Sequence, residues 1–180
     1  MAESRLRPQL RIDRCRCNGH YGMKPVSAGD VESFVRATLG CGCPDEVFRS
    51  VSVRQVPAAA RQLAHTEILV GSRLLIRVFA APPDPAEATW LERLVADGGA
   101  ARDRHGYNRF RLVVVVPAPT RATGGRTDLA ARFARASAGD ERVHLHLLTS
   151  DQLPVSLRAP ATRSAVGVAT PSPAEVTLAK

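Results

Sequence analysis

The chain is poor in aromatic side chains and nearly devoid of lysine. Phe, Trp and Tyr make up 4% of its 180 residues, so a core must rest on Val, Leu, Ile and Ala. Lysine stands only at Lys24 and Lys180, and every other basic side chain is Arg, which with the Ala, Val, Gly and Pro richness reads as a GC-rich coding bias. Long apolar runs are missing too. The longest, Leu112 to Val116, has the length of a strand, far below the ~20 residues of a helical membrane span. The first residues are basic without an apolar stretch behind them, unlike a secretory signal. A cytoplasmic location is therefore expected, and in that reducing compartment a structural disulfide is not. Three motifs are also lacking: the Gly-x-Ser-x-Gly elbow, the Gly-Lys-Ser/Thr of a phosphate loop and the three spaced glycines of a dinucleotide fingerprint.

What is there is globular: 44% hydrophobic and 23% charged residues, at a length that suits one domain. The net charge of +8 first suggests nucleic acid, but its placement argues against that partner. Residues 1–22 carry an excess of +3 and residues 154–180 one of +2, which leaves +3 over residues 23–153, where both signs are interspersed. No dense basic stripe with aromatics between its charges is present.

Residues 1–22 show neither helical nor strand periodicity, and Met23 is followed by a well-formed helix start; the expectation is a non-native or disordered leader, with Met23 the natural initiator. An α/β domain is expected over 23–153 and a disordered tail, rich in Pro, Ala, Ser and Thr, over 154–180. Within the domain, Ser27 and Asp30 form a capping-box pattern for a helix to Leu39, whose Val31, Phe34, Val35 and Leu39 make one apolar stripe before Gly40. Val51 to Val56 reads as a strand. Glu67–Val70 and Arg73–Phe79, separated by Gly71-Ser72, read as a hairpin with a II′ turn. Asp84 to Glu87 caps a helix bearing Trp90, Leu91, Leu94 and Val95 and ended by Gly98-Gly99. Arg109–Val116 is a strand covered on both faces, Asp128–Ala138 a helix capped by Thr127, and Val143–Leu148 the last strand. The fold class is α/β: a single domain whose mixed sheet combines a β-hairpin with βαβαβ, helices on its faces.

The chemically pointed feature is Cys41-Gly42-Cys43-Pro44-Asp45-Glu46. Pro followed by acids is a helix-start signal that makes Cys43 the expected N-cap, where the helix dipole favours a thiolate. Gly42 lets both sulfurs point the same way. Three readings are open. As a redox pair, Cys43 would be the low-pKa nucleophile and Cys41 its resolver, through a small ring that is easily reduced. As ligands, the two thiolates would hold zinc or an iron–sulfur cluster. As structure, they are two small residues packing a turn.

A zinc site needs more donors than two. Cys15 and Cys17, with His20 as a spare, would complete a Cys₄ set unless Met23 starts the chain; His144 and His146, alternating on the last strand, would complete Cys₂His₂. The loop Gly124-Gly125-Arg126-Thr127 could hold a phosphate but reads better as a loop with a cap. Arg102, Arg104, Arg109 and Arg111 beside Tyr107 and Phe110 could form a patch for an anionic partner, but Asp103 interrupts them, and Arg109 and Arg111, at period two on a strand edge, read as a solvated face. A Cys43–His144 pair for acyl transfer has no local support.

The stretch Leu39-Gly40-Cys41-Gly42-Cys43-Pro44-Asp45-Glu46-Val47-Phe48 resembles a motif of small uncharacterised prokaryotic proteins, which brings no activity with it. The element order, helix, three antiparallel strands, helix, strand, is similar to the restriction-endonuclease-like core. That resemblance implies an acid on the second strand and Glu-x-Lys on the third; the chain offers Glu67 on one, but Arg73 to Arg77 holds neither carboxylate nor Lys, so nuclease chemistry is not implied. The expectation is thus a thiol-dependent protein using Cys41 and Cys43 for reversible redox chemistry or soft-metal ligation. The competing class is a non-enzymatic module with structural cysteines, in which the hairpin edge or the Arg-rich loop meets a protein partner.

Overall fold

A computed structural model of the chain describes residues 26–59, 62–82, 89–117 and 124–158. Five strands, β1 (Val51–Val56), β2 (His65–Val70), β3 (Leu74–Ala80), β4 (Arg109–Val115) and β5 (Val143–Leu148), form one sheet whose spatial order is the chain order. β1, β2 and β3 pair antiparallel, whereas β3, β4 and β5 pair parallel. Three helices accompany them: α1 (Ala28–Ser33), which widens into a π-helical turn over Phe34–Thr38, α2 (Trp90–His105) and α3 (Gly124–Ala136). This is the expected single α/β domain with a mixed sheet. No helix among the described residues is long and apolar enough to cross a membrane. Cys15, Cys17, His20, Met23 and the Asp84–Glu87 cap lie outside the described residues.

Two successive parallel crossovers stepping the same way across a sheet place their helices on the same face. So α2 and α3 share one side, over Leu75, Phe79, Phe110, Leu112 and Val114. The other face must be covered by what remains. It packs Ile68, Val70, Ile76 and Val113 under Val31, Phe34, Val35 and Leu39 of the first helix, with Phe48 beside them. β4 is therefore sealed on both sides, as its continuous valines require.

The elements depart most from the sequence expectation at three places. α2 runs through Gly98-Gly99 and stops at Gly106, in the left-handed conformation at φ +70°. Gly98 is there for closeness rather than termination: a Cβ on it would meet the Phe110 ring at 2.0 Å. α3 already includes Gly124 to Thr127, so Thr127 lies inside the helix and not at its cap. Finally, regular structure continues past residue 153, the expected end of the domain. A 3₁₀ turn over Val155–Leu157 carries Leu157, 0% exposed, into the core of the α1 face, because an apolar residue this close to the last strand can still reach the sheet.

The β2–β3 turn also differs from the II′ expectation. Gly71 and Ser72 both have positive φ, +58° and +53°, the I′ hand that follows strand twist. Gly71 is doubly constrained, since its Cβ would lie 2.7 Å from Val47 Cβ and 2.9 Å from Val47 backbone atoms. Backbone cannot swing aside. Gly71→Ala should therefore lower stability by about 2 kcal/mol in urea unfolding. Ser72→Gly, which relieves a positive φ, should leave the midpoint unchanged or raise it. Equal effects of the two substitutions would show that the turn is not held by this contact.

Candidate functional site

The cysteine loop is held at both ends. Upstream, the Ser27 hydroxyl accepts from the Asp30 N–H at 3.0 Å and the Asp30 carboxylate accepts from the Ser27 N–H, fixing the start of α1. At its end the helix loosens. The Leu39 N–H reaches the Phe34 carbonyl, the Cys41 N–H donates to the Val35 carbonyl at 3.0 Å, and Gly40 turns the chain out at φ +62°. Downstream, a 3₁₀ turn over Asp45–Arg49 is tied back by Arg36, which donates to Glu32 at 2.9 Å and to Asp45, with its guanidinium over the Phe48 ring at 4.9 Å.

Cys43 is not the N-cap of that turn. Pro44, extended at φ −68° and ψ 154°, holds the position, and its carbonyl accepts from the Val47 N–H. The expectation that a helix dipole would stabilise a Cys43 thiolate falls with this one-residue shift and with the brevity of the turn. Positive charge comes instead from the strands below.

The Cys41 and Cys43 sulfurs stand at disulfide distance, 2.19 Å apart. Cys41 is 8% exposed and belongs to the core, whereas Cys43 is half-buried. Both line a cleft of about 350 Å³ at the end of the sheet where β3 and β4 begin. Arg73, Arg109, Arg111 and Asn108 line the same cleft, and no carboxylate is among the lining residues. The Asn108 and Arg109 N–H groups donate to the Arg73 carbonyl, at 2.7 and 3.2 Å, which locks the starts of the two strands together.

Arg111 was expected on a solvated strand edge; it is instead 5% exposed, in the middle of the sheet. The reason is register. β4 is an inner strand with both faces covered, so the side chain opposite Phe110 must enter the α1 face. One nitrogen, Nη1, donates to the Leu39 carbonyl at 2.7 Å and to His146 Nε2 at 2.8 Å. Since Arg can only donate, His146 carries its own proton on Nδ1. Burial first, then Arg111 and His144, push the His146 pKa down to about 4, so the ring stays neutral near pH 7. His144 is likewise lowered by burial, Arg111 and Arg109, and its Nε2 is buried without a partner.

The sheet register thus turns both histidines toward the same face as Cys41, with Arg111 hydrogen-bonded to His146. Among the described residues no three His, Cys, Asp or Glu side chains are grouped to hold a metal ion. Of the other arginines of the sequence cluster Arg102 to Arg111, Arg104 and Arg109 are exposed, as expected, and Arg102 is not. Arg102 is buried, its guanidinium paired with Asp103 and Asp140 at 2.7 Å each, and Phe110 is core.

On the opposite face of the sheet, Glu67 of β2 is clamped between Arg54 and Arg77, at 2.6 and 3.0 Å. Both carboxylate oxygens are engaged, and β3 contains no acid to join it. The neighbouring cavity of about 200 Å³ is lined by His65, Arg77, Trp90 and Arg93. His65 donates from Nδ1 to the Leu63 carbonyl at 2.9 Å and stacks on Phe79; because a carbonyl only accepts, Nδ1 bears the proton.

Sequence reasoning found the two cysteines and named Arg109 and Arg111 apart from them, as a solvated face; that these two and Arg73 line the cleft of the cysteines was not read. The signal was present: a charged residue inside a strand expected to be covered on both sides must be buried, whichever face it takes. Comparison of the chain with protein-family models, with curated proteins and with solved structures finds no match.

Proposed function

We propose that Cys41 and Cys43 form a reversible dithiol–disulfide couple, with Cys43 the sulfur that exchanges and Cys41 the resolver. The observation that carries this reading is two sulfurs at bonding distance on the wall of an open cleft, one in the core and one half-exposed. Arg73, Arg109 and Arg111 face the same cleft and favour thiolate over thiol once the bond opens.

In the reducing direction an external thiolate attacks Cys43 Sγ. The Cys41–Cys43 bond breaks, its electron pair leaves on Cys41, and a mixed disulfide joins Cys43 to the incoming sulfur. A second thiolate attacks the external sulfur of that mixed disulfide, releasing the Cys43 thiolate and a small-molecule disulfide. The two protein thiolates take up protons from water, and the reverse sequence oxidises the pair.

Alkylation with iodoacetamide before and after equilibration in thiol–disulfide buffers, read by mass spectrometry, tests the reading. The expected result is a two-electron transition, with both cysteines labelled together at reducing poise and neither at oxidising poise. Cys43→Ser should leave Cys41 slow to alkylate, while Cys41→Ser should leave Cys43 fast. A pair that stays oxidised at every poise, or two thiols that never join, would make these cysteines structural. Cys41, as a member of the core, is what favours that second reading. In that case Cys41→Ser/Cys43→Ser would alter stability alone.

A further inference from the structure

Three arginines are buried among the described residues, and two of them face carboxylates. Arg102 has Asp103 and Asp140, and Arg132 has Glu92. Arg111 has no acidic partner among the described residues: its hydrogen bonds go to a carbonyl and a neutral imidazole, both through Nη1. Its Nε is buried with no partner. The Nε and Nη2 edge is the fork that binds carboxylates two oxygens at a time, and among the described residues no group is hydrogen-bonded to it. Burial and the nearby Arg109 both work against the charge on this guanidinium. An uncompensated buried charge is strongly unfavourable, which makes such a position a recipient for an anion. Arg73 and Arg109, exposed and in no ion pair among the described residues, widen the same positive field in the cleft, and Asn108 adds an amide.

We propose that this cleft seats the carboxylate of a small anionic thiol, or of its disulfide, and that Arg111 with Arg73 and Arg109 holds it while its sulfur meets Cys43. The proposal rests on the redox reading above and names its substrate class. The cleft volume of about 350 Å³ suits a molecule of this size. It lies at the lower end of the ~300–1,000 Å³ common for small-ligand sites. A carboxylate at the guanidinium fork and a thiolate a few bonds away are then presented to the half-exposed sulfur of the pair.

The test compares reduction of the oxidised protein by 3-mercaptopropionate, 2-mercaptoethanol and cysteamine at equal thiolate concentration, followed by alkylation and mass spectrometry. The anionic thiol should react about tenfold faster than the neutral one, and the cationic thiol slowest. Arg111→Met should abolish the preference. Arg73→Gln/Arg109→Gln, which touches only exposed side chains, should reduce it and keeps the test valid if Arg111→Met does not fold. A separate arm uses the thiol-free probe propionate with the Cys41→Ser/Cys43→Ser protein, read by NMR shifts of the arginine side-chain N–H groups.

Equal rates for all three thiols, with no propionate-induced shifts, would overturn the anion seat and leave the redox couple standing. Failure of every thiol to reduce the pair, with propionate still shifting Arg111, would reject the redox couple and, with it, the anionic thiol as substrate, leaving a carboxylate site alone. An anionic preference that survives both arginine variants would also overturn the proposal.

Discussion

Gly98→Ala is expected to lower the unfolding free energy by about 3 kcal/mol, a large share of the ~5–15 kcal/mol available to a domain. Helix propensity alone says the opposite, because Ala in a helix interior is favoured over Gly by ~1 kcal/mol. Sterics decide it. The new methyl would stand 2.0 Å from Phe110 Cε1 and 2.1 Å from Cζ, and the ring, 0% exposed between α2 and β4, has nowhere to go. Urea unfolding measures the loss. The double variant Gly98→Ala/Phe110→Leu removes the ring atoms that collide and should recover part of it, a coupling of ~1–3 kcal/mol. If the two substitutions were simply additive, the close approach of α2 to β4 would not be what requires glycine.

Glu67→Gln should cost about 3 kcal/mol near pH 7, the loss typical of breaking a buried pair from one side. Its carboxylate is 4% exposed and lies 3.0 Å from Arg77 Nε, itself largely buried; Arg54 is mostly exposed, so solvent screens most of its share. Burial by itself would raise the Glu67 pKa, but the hydrogen bonds from Arg54 and Arg77 outweigh it and hold the group below the ordinary glutamate range. A carboxylate depressed in the folded state stabilises fully above its unfolded pKa, ~4.3, and loses that contribution as pH falls through the lower folded value. The stability gap between wild type and Glu67→Gln should therefore be constant from neutral pH down to about 5 and close below about 4. A gap that did not narrow on acidification would mean that the substitution acts through packing rather than through charge.

Local signals in this chain were read with little error where they were local. Ser27 and Asp30 do close the capping box, Val51–Val56 and Val143–Leu148 are strands at the expected bounds, and His144 and His146 alternate with leucines as written. The errors cluster where a residue type has two uses. Gly98-Gly99 signals a helix end by composition, yet a glycine is also what allows a helix to cross a ring closely; only the position of Phe110 chooses between them. Pro44 fits the first helical residue and the cap equally well by φ, and its ψ of 154° puts the start one residue later, which takes Cys43 away from the helix end. The cysteines of the candidate site were legible as chemistry. The charge that faces them was not, since Arg73, Asn108 and Arg109 come together with the cysteine loop only when β3 and β4 align.

Element identity, and the presence of two sulfurs with one glycine between them, follow from hydrogen bonding and periodicity over a few neighbouring residues, which any stretch of chain carries within itself. Burial of Arg111, its hydrogen bonds to a carbonyl and an imidazole and its place in the same cleft as Cys43 depend on which strand lies inside the sheet and which face each helix takes. Those choices are made by contacts between residues some seventy positions apart, such as Arg111 with the Leu39 carbonyl. They exist only once the chain has closed on itself.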